Sequence, residues 1–204
     1  MQRWLRLAGL VDRVNERLGR AVYWLTLLMV VVGGYNAVAR YLSRFARIDP
    51  ETAGPLDTVL RVIGEVSLQM SSNTFIELQW YLFSLVFLLG AAYTLKHDAH
   101  VRVDVLYTRL SARGKAWINL LGTLLFLIPF CVLMLWASWS TVEDSWALRE
   151  MSPDPGGLPR YPIKTVIPIA FLLLFFQGGA ILIRQVAVLR GYAVAEEEET
   201  QGHV

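Results

Sequence analysis

The sequence predicts an all-α integral membrane protein with four transmembrane helices plus amphipathic interfacial helices, one N-terminal and one in the first outer loop. Three observations carry that prediction. Of the 204 residues 55% are hydrophobic and 18% charged, against about 45–50% and about 25% in ordinary soluble domains. Four apolar runs, 21–39, 78–95, 116–136 and 166–183, contain no Asp, Glu, Lys, Arg or His. Each is close to the roughly 20 residues that a helix needs to cross a hydrocarbon core. Finally, Trp24, Trp80, Trp117, Trp136 and Trp139 fall near the ends of these runs, where an indole keeps its ring in lipid and its N–H wet.

The segment 1–20 comes first. Trp4, Leu7, Val11, Val14 and Leu18 recur at spacings of 3, 4, 3 and 4, with Arg6, Arg13, Arg17 and Arg20 opposite. This is the pattern of an amphipathic helix in the membrane interface, and it merges with the first span if the helix is continuous. The first run, 21–39, ends in Ala37, Val38 and Ala39, which has the form of a signal-peptide cleavage site. The run exceeds the usual ~7–15 residues of such a segment, however, so it is read as a retained span.

The first loop holds a second stripe, Leu56, Val59, Leu60, Ile63, Val66 and Met70, interleaved with Asp57, Arg61 and Glu65. It is too charged to span and is expected to lie in plane or docked, within an inserted segment of about 48–72. The loop after the third run carries Pro153, Pro155, Gly156, Gly157 and Pro159. That density of Pro and Gly predicts an irregular but ordered turn. The membrane domain is thus placed at 21–190. The stretch 191–204, with Glu196 to Glu199, is expected to be an acidic, disordered tail.

Basic residues set the orientation. Twelve Lys or Arg fall in the N-terminal segment, the second loop and the tail, and seven fall in the first and third loops. Both termini are therefore expected on the cytoplasmic side, although Arg40, Arg44 and Arg47 oppose the bias.

Chemistry-bearing residues are sparse. Cys131 is the single cysteine, so no internal disulfide, CxxC redox pair or Cys-rich metal site is available. His97 and His100 are three apart but lie outside the runs, where local hydrogen bonding is the expected role. Arg102 and Asp104 alternate with valines and can pair with each other or dock a partner. Polar residues within the runs include Asn36, Asn119, Thr123 and Gln177; Gln177 precedes Gly178 and Gly179, a close-approach patch that suits helix packing. Pro129 and Pro168 interrupt the third and fourth runs and are expected to bend them. Ion-coupled carriers place ionisable groups near the midplane, and these runs have none. That points to an accessory role, with no catalytic residue, cofactor or metal ligand assigned. Two other classes remain open at this level: the anchor of a haem or quinone enzyme, and a self-assembling channel.

Several stretches in order carry a resemblance: NAVARY at 36–41, ELQWYLF at 77–83, LLGAAYTLK at 88–96 and HVRVDVL at 100–106. It continues through PF at 129–130, SW at 145–146, EMSPDPGGLP at 150–159 and the segment 164–178. The chain resembles the small membrane (small permease) subunit of tripartite ATP-independent periplasmic (TRAP) transporters, in particular the mannitol/chloroaromatic-type subgroup. The resemblance implies a secondary active uptake system in the bacterial inner membrane. This chain would brace a large membrane subunit that holds the transport path and the Na⁺ or H⁺ sites. A periplasmic binding protein would deliver a small organic acid anion. It also implies that Arg40, Tyr41, Glu77, Trp80, Arg102 and Asp104 are motif positions at interfaces. In this sequence about 30 residues separate Tyr41 from the Glu77 region, more than in many family members, and the insertion carries the periplasmic amphipathic stripe.

Overall fold

A computed structural model describes residues 1–49, 54–70, 73–97 and 110–192. Arg102, Asp104 and His100, and the acidic run from Glu196 to Glu199, lie outside the described residues. Among the described residues the regular secondary structure is helical, apart from an isolated antiparallel bridge between Met151 and Pro159. We number the helices α1 (Gln2–Ser43), α2 (Pro55–Met70), α3 (Asn73–Lys96), α4 (Ala112–Ala147) and α5 (Arg160–Leu189). All but α2 are long and apolar enough to cross a membrane, and each of these contains one of the four predicted runs.

The N-terminal segment and the first span are one unbroken helix. At 1.5 Å per residue its 42 residues reach about 63 Å. A 3₁₀ turn, Arg44–Arg47, closes it, and Ile48 is already extended. Helix α2 starts as a helix should: Pro55 fixes φ at the first position, and the Asp57 carboxylate accepts the Gly54 N–H at 3.1 Å. At the start of α4 the Ser111 hydroxyl accepts from the Gly114 N–H at 3.3 Å.

Pro129 does not break α4. Residues Thr123–Leu127 just before it form a π turn, with the Ile128 N–H reaching back to the Thr123 carbonyl. Proline cannot donate to the helical ladder and its ring crowds the preceding turn. A locally widened turn is one way to absorb that defect.

The structure divides into two compact units, each of which is described by itself. The first gathers the described residues of Met1–Arg20, Leu88–Val142 and Thr165–Val204; the second gathers Ala21–Phe87 and Glu143–Lys164. Among the described residues, seven of the ten buried apolar side chains are alanines, while leucines, valines and tryptophans crowd the exposed surface. This is the packing expected in lipid, where small residues let backbones approach and bulky ones face the acyl chains.

Candidate functional site

In the second unit, α3 starts with a carboxylate that organises the loop between α4 and α5. Glu77 is only 2% exposed. Its Oε1 accepts from the Ser152 hydroxyl and its Oε2 from the Leu158 N–H. Neighbouring side chains of α3 hold the same loop. Tyr81 donates to the Pro159 carbonyl at 3.0 Å, Asn73 to the Pro155 carbonyl at 3.3 Å and Thr74 to the Gly156 carbonyl. Gly156, at φ 72°, supplies the left-handed step that lets the loop fold back to its bridge. Gly157 leaves room for Glu77 and Ser152, which a Cβ there would meet.

The loop's base is fastened by a second carboxylate. Glu150 accepts from Ser145 at 2.7 Å and from Lys164. The Lys164 ammonium, followed by the Ser145 hydroxyl, holds the Glu150 carboxyl below the usual carboxylate range. Helix α4 ends with Arg149 in the left-handed region at φ 45°, and the Glu150 N–H returns to the Ser145 carbonyl at 3.0 Å. That is a Schellman-type end with arginine where glycine is usual.

Of the residues expected at interfaces, Arg40 and Glu77 join this cluster: the Arg40 guanidinium donates to Asn73 at 3.1 Å. Trp80 is partly exposed and sits edge-on to Tyr81, with ring centroids 4.6 Å apart. Tyr41 is exposed, with the Arg44 guanidinium 3.9 Å above its ring. In the same unit α2 packs on the 3₁₀ turn through Gly64, where a Cβ would stand 2.5 Å from the Phe45 carbonyl carbon and closer still to the Ala46 nitrogen. The stripe Leu56, Val59, Ile63 and Val66 stays exposed.

In the first unit, Gln177 is fully buried. Its Oε1 accepts from Asn15 at 2.6 Å and its Nε2 donates to Asp12 at 3.0 Å. Asp12 also pairs with Arg184. One turn along α1, Glu16 accepts from Lys96 at 2.7 Å and lies 3.0 Å from His97. His97 thus has the local role expected of it. Gly19 packs against the Tyr93 ring so closely that any Cβ would run into it. Beside Gln177, Gly178 meets the π turn of α4 through Thr123, Leu127 and Ile128.

Asp12, Asn15 and Glu16 were not singled out in the sequence, where the apolar stripe of α1 is read as the face of a helix in the membrane interface. The inward face is Ala8, Asp12 and Asn15, while Trp4, Leu7 and Val14 are exposed. The signal was present as small and polar residues at 8, 12, 15 and 19, spaced 4, 3 and 4. Among the described residues no group of three or more His, Cys, Asp or Glu could hold a metal ion.

Both clusters do the same thing chemically: they match each named buried polar group with a partner in this chain. A family model described as "Tripartite ATP-independent periplasmic transporters, DctQ component" matches residues 56–188, well over half of the sequence. No curated protein and no solved structure matches the chain.

Proposed function

We propose, from the premise that this chain belongs to the DctQ component family of tripartite ATP-independent periplasmic transporters, that it braces a large membrane subunit which carries the transport path and the Na⁺ or H⁺ coupling sites. As the small permease subunit of such a transporter it is a multi-pass membrane protein of a transport family, not of an enzyme family. In our reading a periplasmic binding protein delivers a small organic acid anion to the pair, and the system is of the mannitol/chloroaromatic type. The distribution of basic residues, twelve against seven, supports both termini lying in the cytoplasm of a bacterium, with the chain in its inner membrane.

The observation that carries the bracing role is the internal pairing around Gln177. Asp12, Asn15, Gln177 and Arg184 bind one another, which fastens helices together and commits those groups to structure. A coupling site needs polar groups that exchange partners with a cation. The exposed bulky apolar flanks of α1, α3 and α4 are surfaces for lipid and for the large subunit.

Arg40, Tyr41, Glu77, Trp80, Arg102 and Asp104 are motif positions in this reading. Arg40 and Glu77 shape the loop that the complex presents to the periplasm, and α2 lies along that face, touching the binding protein. Deletion of 48–72 with uptake unchanged would remove the role of α2. The test of the main proposal is reconstitution of the large subunit and binding protein in proteoliposomes, with and without this chain. Solute uptake is expected only with it, and the large subunit should lose solubility or thermal stability alone. Full-rate uptake without this chain, or uptake by this chain alone, would overturn the proposal.

A further inference from the structure

Arg40, Arg44 and Arg47 run against the charge bias of the chain, and the clusters described above absorb only the first of them, through its bond to Asn73 at 3.1 Å. Arg44 and Arg47 are exposed, and among the described residues neither forms an ion pair. They are the first and last residues of the 3₁₀ turn that closes α1. Three residues complete one turn of such a helix, so the two side chains stand on the same side, about 6 Å apart along the axis. Gly64 of α2 seats on the backbone of Phe45 and Ala46 and leaves the arginine side open. Two like charges held this close without a carboxylate favour an anion between them.

Depth in the membrane follows from the helix that carries them. The apolar run of α1 ends at Ala39, and α3 begins at the same height: Tyr35 packs edge-on to Phe75, with centroids 5.1 Å apart, and Arg40 reaches Asn73, the first residue of α3. Arg44 lies about 7 Å beyond Ala39 at 1.5 Å per residue, and the headgroup layer is about 5–7 Å deep. Side chains of a helix lean toward its N-terminus, which here means toward the bilayer. Arg44 does so, with its guanidinium 3.9 Å over the Tyr41 ring. On the bilayer side of that ring Val30, Val31, Gly34 and Val38 share an arc of about 100° with Tyr41. All five are exposed, and Gly34 has open space where a side chain would stand. We infer that Arg44 and Arg47 bind the phosphate of an anionic phospholipid, whose acyl chain runs from the Tyr41 ring toward the bilayer centre over Val38, Gly34 and Val30.

The order of surfaces along α1 selects this ligand: two cations at headgroup height, an aromatic ring beneath them, then aliphatic side chains toward the hydrocarbon. A guanidinium stacked on a ring still presents its N–H groups edgewise, and two guanidinium forks suit the oxygens of one phosphate. A zwitterionic lipid brings its own cation to the pair, and a free phosphate leaves the aliphatic strip bare. A carboxylate on another protein chain is the remaining rival, and the test separates it. The inference needs only that α1 crosses the bilayer and is independent of the partner subunit.

The test is native mass spectrometry of the purified full-length chain titrated with phosphatidylglycerol or phosphatidylcholine. The wild type is expected to prefer phosphatidylglycerol. Each basic residue near a membrane surface contributes about fivefold, so the double variant R44Q/R47Q should lose on the order of 25-fold in phosphatidylglycerol affinity. Its phosphatidylcholine binding should not change. Tyr41→Leu removes the ring under Arg44 and should cost about two- to fivefold. Should the double variant not stay folded, R47Q alone decides, with about a fivefold loss expected. Equal binding of the two lipids by the wild type, or unchanged binding by the glutamine variants, overturns the inference. An equal loss in R3Q/R6Q, at the other end of α1, would mark diffuse attraction to net charge and overturn it too. So does displacement of phosphatidylglycerol by millimolar glycerol phosphate, which would mark a plain anion site. A wild type without lipid preference whose R44Q/R47Q variant no longer co-purifies with the large subunit would assign the arginines to a carboxylate of that subunit and likewise overturn it.

Discussion

Replacing Glu77 with leucine takes the acceptor away from both the Ser152 hydroxyl and the Leu158 N–H while keeping the side chain's bulk. Hydrogen bonds to a charged group contribute about 1.5–3 kcal/mol each. Losing two costs roughly 3–6 kcal/mol in the closed loop, part of which water restores once the loop opens. A net weakening of about 3 kcal/mol raises the open population on the order of 100-fold. The loop stays mostly closed even so, because Tyr81, Asn73 and Thr74 still hold it. Trypsin cleavage after Arg149, which is exposed at the loop's start, reads this directly when cleavage is slower than reclosing. We expect on the order of 100-fold faster cleavage in Glu77→Leu, and about tenfold in Glu77→Gln, which keeps an acceptor for the Leu158 N–H. Cleavage of the leucine variant within about threefold of wild type would refute the assignment of Glu77 as the loop's anchor.

Four further outcomes are expected. Gly64→Ala drives a methyl into the backbone of Phe45 and Ala46, costing about 1–3 kcal/mol; amide exchange across α2 should rise, and unchanged exchange would mean α2 is not seated on that turn. Gln177→Leu strands Asn15 and part of Asp12, so thermal unfolding, followed by a thiol-reactive dye on the buried Cys131, should come earlier by about 2–4 kcal/mol of stability. Arg149→Gly relieves a left-handed arginine and should stabilise by about 1 kcal/mol, seen as a higher midpoint in the same assay. Because Lys164 and then Ser145 lower the Glu150 carboxyl in the folded chain, its contribution is complete above the unfolded carboxylate value of about 4.3 and disappears as pH falls through the lower folded value. Loop protection in amide exchange should therefore be flat from about pH 8 to about pH 5.5 and weaken below about pH 4, with a shallower acid dependence in Glu150→Gln.

The four spans were legible because lipid imposes a simple requirement, a long run without charges, and each run falls inside one helix: 78–95, for instance, within Asn73–Lys96. The ordered turn at 150–159 was legible from its prolines and glycines, but its anchor was not. Glu77 lies 75 residues from Ser152 and 81 from Leu158, and no local pattern encodes such a pairing. The inward face of α1 was not legible from its apolar stripe, for a physical reason. A periodic apolar stripe marks the buried side of a helix in water, whereas in lipid the helix–helix side is marked by small and hydrogen-bonding residues. Ala8, Asp12, Asn15 and Gly19 therefore carried the information, and Trp4, Leu7 and Val14 did not. Pro129 gave only the expectation of an irregularity; that it takes the form of a π turn seated on Gly178 depends on a helix the local sequence does not see.

The separation between Glu77 and its acceptor-seeking partners also has a meaning in time. Translation at about 5–20 residues per second delivers Leu158 roughly 4–16 s after Glu77 has left the ribosome. For that interval the nascent polypeptide carries a carboxylate at the edge of its second span whose final ligands have not been made. The fastening of this loop is thus a late event in biogenesis, completed only when the last hairpin arrives. A stalled or truncated product ending before Ser152 would expose the naked acid to quality-control proteases.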